Sequence, residues 1–139
     1  MLPFNILRMI HTNALVVWLL MGFFGAAYYL VPEESEREIT SPAMAYVQFA
    51  ILMLGGLVSV GGYLMGIHGG REFLEQPLWV KWAIVGVALI FLWNIGTTIL
   101  RGRRTAITSV LMLGMIGVAV FWLFAIWNPE NIAVDKLYW

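Results

Sequence analysis

Two histidines carry most of the chemistry available to this chain. His11 stands at the mouth of the first long apolar run, within Arg8-Met9-Ile10-His11-Thr12-Asn13, and His68 follows the second run. An imidazole at the head of a membrane-spanning helix loses water and must be held by a partner, a metal or a hydrogen bond. On a helix, Ala14, Leu15, Trp18, Gly22, Gly25 and Tyr29 share one face with His11. Two glycines and two aromatics below a histidine make a face that could receive a flat macrocycle. The same residues also admit a structural account, in which the glycines let another helix approach closely and His11 bonds a loop carbonyl.

Glu72 and Glu75 are the second set. They lie three apart in the loop from His68 to Pro77, so they share a face of a short helical turn. Carboxylates placed in this way can bind a hard cation such as Ca²⁺, which wants six to eight oxygens. Two glutamates alone are weak evidence for such a site, and the spacing by itself favours an ordinary polar loop.

The elements that must position these residues are transmembrane. Of 139 residues, 61% are hydrophobic and 12% charged, against about 25% charged in a soluble domain. Mean hydropathy is +0.84. The chain reads as an all-α integral membrane protein with the lipid bilayer as its first partner. Zero net charge gives no reason to expect nucleic acid. Without cysteine, disulfides, thiolate clusters and c-type haem attachment are excluded. The N-terminus is a poor signal peptide, because its apolar region runs too long and no clear A-x-A site follows.

Hydropathy places four spans, at about 9–31, 43–67, 78–100 and 105–127, within one transmembrane segment over 1–139. The first is roughly 34 Å long at 1.5 Å per residue, enough for a ~30 Å hydrocarbon core with some tilt. Pro32 is expected to stop it. The acidic loop Glu33-Glu34-Ser35-Glu36-Arg37-Glu38 reads as a solvated surface. Ser41 is placed to cap the second helix, with Pro42 at its first position. Gly55-Gly56, Ser59 and Gly61-Gly62 predict close helix packing in that span. Asn94, the strongly polar residue inside the third span, is expected to bond across to another helix. The turn at Arg101-Gly102-Arg103-Arg104 is so short that the third and fourth helices must be antiparallel neighbours.

Three arginines in that turn place it in the cytoplasm by the positive-inside rule. Alternation then gathers His11, His68, Glu72 and Glu75 at the outer face. A chain starting outside without a signal would more naturally have an earlier helix to deliver it there, so Met1 need not be the biological start.

Several stretches resemble a known family. They are Leu2-Pro3-Phe4-Asn5, Arg8-Met9 and His11-Thr12-Asn13; Gly25-Ala26-Ala27-Tyr28-Tyr29-Leu30-Val31-Pro32-Glu33-Glu34; Gly70-Arg71-Glu72-Phe73-Leu74-Glu75-Gln76-Pro77; and Ala133-Val134-Asp135-Lys136 with Tyr138-Trp139. They look like the catalytic subunit of bacterial cytochrome c-dependent nitric oxide reductase, of the haem–copper oxidase superfamily. The likeness runs over essentially the whole chain. It implies a helical bundle in the bacterial inner membrane that reduces two NO to N₂O and water with two electrons and two protons. Electrons would pass from a cytochrome c-type subunit through low-spin haem b to haem b3 and a non-haem iron.

By the same resemblance, His11 is one axial ligand of haem b, Glu72 ligates a calcium near the haem propionates, and Glu75 belongs to that polar region. The family's subunit is far longer. Its other haem ligands and its non-haem iron ligands have no counterpart in this sequence, so no catalytic residue is assigned here and the chain is not expected to turn over NO alone. The loop between Tyr63 and Gly70 is shorter than in the family, and His68 matches no family ligand. Another reading is a self-contained cytochrome b with His11 and His68 as its two axial ligands. A third is a membrane protein in which both histidines are structural.

Overall fold

Long apolar runs in lipid must satisfy their own backbone groups, and helices do so within one segment. The computed structural model describes residues 3–69 and 75–127. These form α1 (Phe4–Ser35), α2 (Pro42–Leu64), α3 (Leu78–Arg101) and α4 (Ala106–Trp127), with no strand among the described residues. All four helices are long and apolar enough to cross a membrane.

The helix ends differ from the hydropathy bounds where turn chemistry overrides apolarity. α1 does not stop at Pro32 but runs through it to Ser35. The proline removes the bond to the carbonyl four residues back and crowds that carbonyl, but its fixed φ is helical, so the chain after it can continue the helix. The stop comes at Glu36, whose φ of 48° is left-handed. There Glu36 N donates to Glu33 O at 3.4 Å and Arg37 N to Pro32 O at 3.1 Å, the paired bonds of a Schellman ending. α2 ends at Leu64, short of Ile67. Gly66 turns left-handed at φ +77° and Ile67 N donates to Gly62 O at 2.8 Å. Met65 and Ile67 are apolar, so hydropathy runs past this stop. Ser41 caps α2 as expected, its Oγ accepting from Met44 N at 3.3 Å with Pro42 at the first position.

α3 packs against each of the other helices, and α1 touches α2 and α4. The apolar core comprises Ala27 and Val31 of α1, Phe91, Ile95 and Ile99 of α3, and Met115 of α4. Phe91 centres an aromatic group, 4.5 Å from the Phe24 ring and edge-on to Tyr28 at 5.6 Å. This core lies in the half of the bundle nearer the α3–α4 turn.

A polar network braces the same half. Asn94, fully buried, takes Ser41 N at 2.9 Å and donates to Ser41 O at 2.8 Å. Its partner is thus the cap of α2. Thr98 Oγ1 accepts Thr40 N at 3.0 Å, and the Tyr28 hydroxyl donates to Gln48. At the turn, Arg103 N donates to Ser35 O at 2.8 Å and the Arg103 guanidinium pairs with Glu36. A Cβ on Gly102 would lie 2.7 Å from Ser35 O, so the end of α1 seats directly on the α3–α4 turn.

Candidate functional site

α1 presents two unlike faces at its N-terminal end. His11 is exposed, and it has no hydrogen-bond partner among the described residues. The strip below it is exposed as well, with Trp18 at 69% and Tyr29 at 71%. A Cβ built on Gly22 or Gly25 would find nothing within 4 Å. The His11 face therefore points away from the bundle. Neither part of the structural account is present among the described residues, because no helix of this chain sits on the glycines and His11 bonds no loop carbonyl.

The opposite face buries Met9 and Asn13. Asn13 Nδ2 donates to Met9 O at 2.8 Å and to Glu75 Oε2 at 3.1 Å, while Gln76 Nε2 donates to Asn13 Oδ1. Glu75 is 2% exposed and turned inward onto α1. Its backbone carbonyl accepts Gly69 N at 2.7 Å, which closes the base of the loop. Tyr63, on the last turn of α2, is fully buried. Its hydroxyl has no hydrogen-bond partner among the described residues.

His68 is half-buried at the foot of α2, with Nδ1 3.3 Å from Gly69 O. No hydrogen bond joins it to His11. Glu72 lies outside the described residues, as does the Ala133–Trp139 stretch. Among the described residues no three of His, Cys, Asp and Glu come together as a metal site. The arrangement brings Glu75 to Asn13 and leaves His11 facing outward.

Sequence reasoning did not single out Asn13 or Tyr63. A signal for Asn13 was available: it stands four residues after Met9, so it falls on the inward face of a helix whose histidine points out. Nothing in the local sequence marked Tyr63, because a tyrosine near a helix end reads as an interfacial residue. A free imidazole on an outward apolar strip can ligate a metal centre that other helices also hold.

Multi-pass helices built in this way define a membrane-protein class, and comparison with known proteins places it. The chain belongs to the family described as cytochrome c and quinol oxidase polypeptide I, whose model matches residues 2–134. That is a haem–copper oxidase family, so haem is the cofactor class it brings. Within it, the chain is similar to a nitric oxide reductase subunit of Stutzerimonas stutzeri, at 51% identity over 153 aligned residues. The alignment covers all of this chain and 32% of the relative. The chain thus spans about a third of that protein's length, and the rest of a larger subunit is implied. The relative also carries residues with no counterpart in these 139. The resemblance read from the motifs is borne out.

Proposed function

We propose that this chain is the part of a nitric oxide reductase catalytic subunit that supplies one axial ligand, His11, to low-spin haem b. In this reading the complete subunit reduces two NO to N₂O and water with two electrons and two protons. Haem b3 and the non-haem iron are held by the remainder of the subunit. Electrons reach it from a cytochrome c-type subunit on the periplasmic side of the bacterial inner membrane, where His11 and Glu72 stand.

Haem b, when bound, supplies one-electron transfer. The chain's own residues do the rest. His11 offers the lone pair of a neutral ring nitrogen. Gly22 and Gly25 keep the helix surface below it bare, and Leu15 and Trp18 supply apolar surface that excludes water. Glu72 would contribute carboxylate oxygens to a bound calcium ion. Glu75 belongs to the same polar region, held from inside by Asn13.

One observation carries this reading. In a family of haem proteins, a histidine within an apolar helix is left exposed, without a bond among the described residues and above an uncovered strip. Intramembrane ionisable groups without a partner are costly, so this one is kept for a ligand. His11→Ala in the assembled reductase is expected to remove the low-spin haem b signal from the optical spectrum. An unchanged low-spin signal would rule the assignment out. His68→Ala is expected to leave the spectrum and the midpoint potential unchanged. A six-coordinate haem spectrum from this chain alone, lost on His68→Ala, would instead establish the self-contained cytochrome b.

A further inference from the structure

We propose that Asn13 is a positioning residue: with Glu75 and Gln76 it forms a clamp that sets the rotation of the outer half of α1, and so the direction in which His11 points. The inference rests on the reading of His11 as a haem ligand.

The clamp uses the Asn13 amide fully. A primary amide has two N–H donors and a carbonyl acceptor. One N–H goes to Met9 O, the other to Glu75 Oε2, and the carbonyl receives Gln76 Nε2. Asn13 is 7% exposed and Glu75 2%, so water does not compete for these bonds. Glu75 and Gln76 directly precede Pro77, the cap of α3. Asn13 therefore ties α1 to the start of a helix that packs against all the others.

His11 is the residue most exposed to this tie. Met9 and Asn13 are one helical turn apart on the inward face, and His11 lies midway, about 200° from each. A rotation of the inward pair about the helix axis turns the imidazole through the same angle. Few other side chains in that half are buried enough to resist such a rotation. The buried residues of α1 are Met9, Asn13, Ala27, Val31 and Ser35. The last three lie in the half braced by the apolar core and the Ser35–Arg103 junction. From Phe4 to Gly25, only Met9 and Asn13 are buried, and Met9 makes a non-directional contact. Of these two buried residues, the one that restrains the outer half directionally is Asn13, through its amide. Residues behind a metal ligand commonly orient it in this way.

The test uses the assembled reductase and reads the low-spin haem by electron paramagnetic resonance, whose g-values respond to the orientation of the axial imidazole. Asn13→Leu keeps the branching at Cγ and the number of heavy atoms and removes every bond of the clamp. It is expected to bind haem b at wild-type stoichiometry with shifted low-spin g-values and a shifted midpoint potential. Glu75→Gln keeps an acceptor for Asn13 Nδ2 and is expected to retain the wild-type g-values, whereas Glu75→Leu shifts them. Wild-type g-values in a fully loaded Asn13→Leu protein would overturn the clamp while leaving His11 as the ligand. Equal shifts in Glu75→Gln and Glu75→Leu would also overturn it, since charge and not the bond would then be acting. If Asn13→Leu does not assemble, Gln76→Ala removes one arm from a half-buried position. A smaller shift in the same signal is then expected, and its absence overturns the proposal. Retention of the low-spin signal in His11→Ala would defeat the ligand assignment instead, so the two failures are distinct.

Discussion

At the scale of single residues, the amides of Asn13 and Asn94 do comparable work at opposite ends of the bundle. Asn94 holds both the N–H and the carbonyl of Ser41. No water reaches it, as its exposure is 0%. Replacing Asn94 with leucine strands two backbone groups, and each buried group left unpaired costs about 1–3 kcal/mol. We expect Asn94→Leu to destabilise the detergent-solubilised protein by that order, read as a lower thermal midpoint. Asn94→Asp should recover only part of the loss, since it keeps the acceptor for Ser41 N and loses the donor to Ser41 O. A midpoint equal to wild type in Asn94→Leu would show that the network contributes nothing net.

At the scale of elements, the junction between α1 and the α3–α4 turn is fixed by close approach. A methyl on Gly102 would stand 2.7 Å from Ser35 O, 2.8 Å from Ser35 Cβ and 3.0 Å from Thr98 O. None of these is the far end of a flexible side chain, so α1 must shift. Overpacking of this kind costs about 1–3 kcal/mol. Gly102→Ala is expected to destabilise the protein by that amount and to raise protease cutting within the turn; an unchanged stability would show that α1 is not seated there. The ion pair across the same junction is a different matter. The Arg103 and Glu36 side chains are 66% and 65% exposed, and such pairs contribute roughly 0–1 kcal/mol. Arg103→Gln should therefore change stability little, and less still at high salt. The Arg103 N to Ser35 O bond survives that substitution because it belongs to the backbone.

At the scale of the whole molecule, the four helices leave most of their apolar surface uncovered. Leu113 is 71% exposed, Phe121 77% and Phe124 75% on α4. Lipid or further helices must cover such surface, in keeping with a chain that spans a third of its relative's length. Orientation is testable because the sequence has no cysteine to interfere. A single cysteine at Glu38 is expected to react with a membrane-impermeant maleimide only after cells are permeabilised. One at Phe4 should react in intact spheroplasts. The reverse pattern would place the Arg101–Arg104 turn outside and His11 in the cytoplasm, contrary to the positive-inside assignment.

Composition and periodicity determined that the chain crosses the membrane as helices, because burying an unpaired peptide group in lipid costs more than any local preference returns. The Ser41-Pro42 cap was legible because its bonds are local, within three residues. Motifs led to the family, and to His11 as the residue to watch. Tertiary structure alone decided which way His11 faces. A helical repeat shows which residues share a face and is silent on which face meets the bundle. That choice depended on Glu75, 62 residues from its partner in the chain, turning inward onto Asn13. It likewise decided that Asn94 bonds the cap of α2 and that Glu36 ends α1 in a left-handed turn past Pro32. Each of these outcomes is settled by contacts between residues distant in sequence, or by a backbone angle that hydropathy does not register.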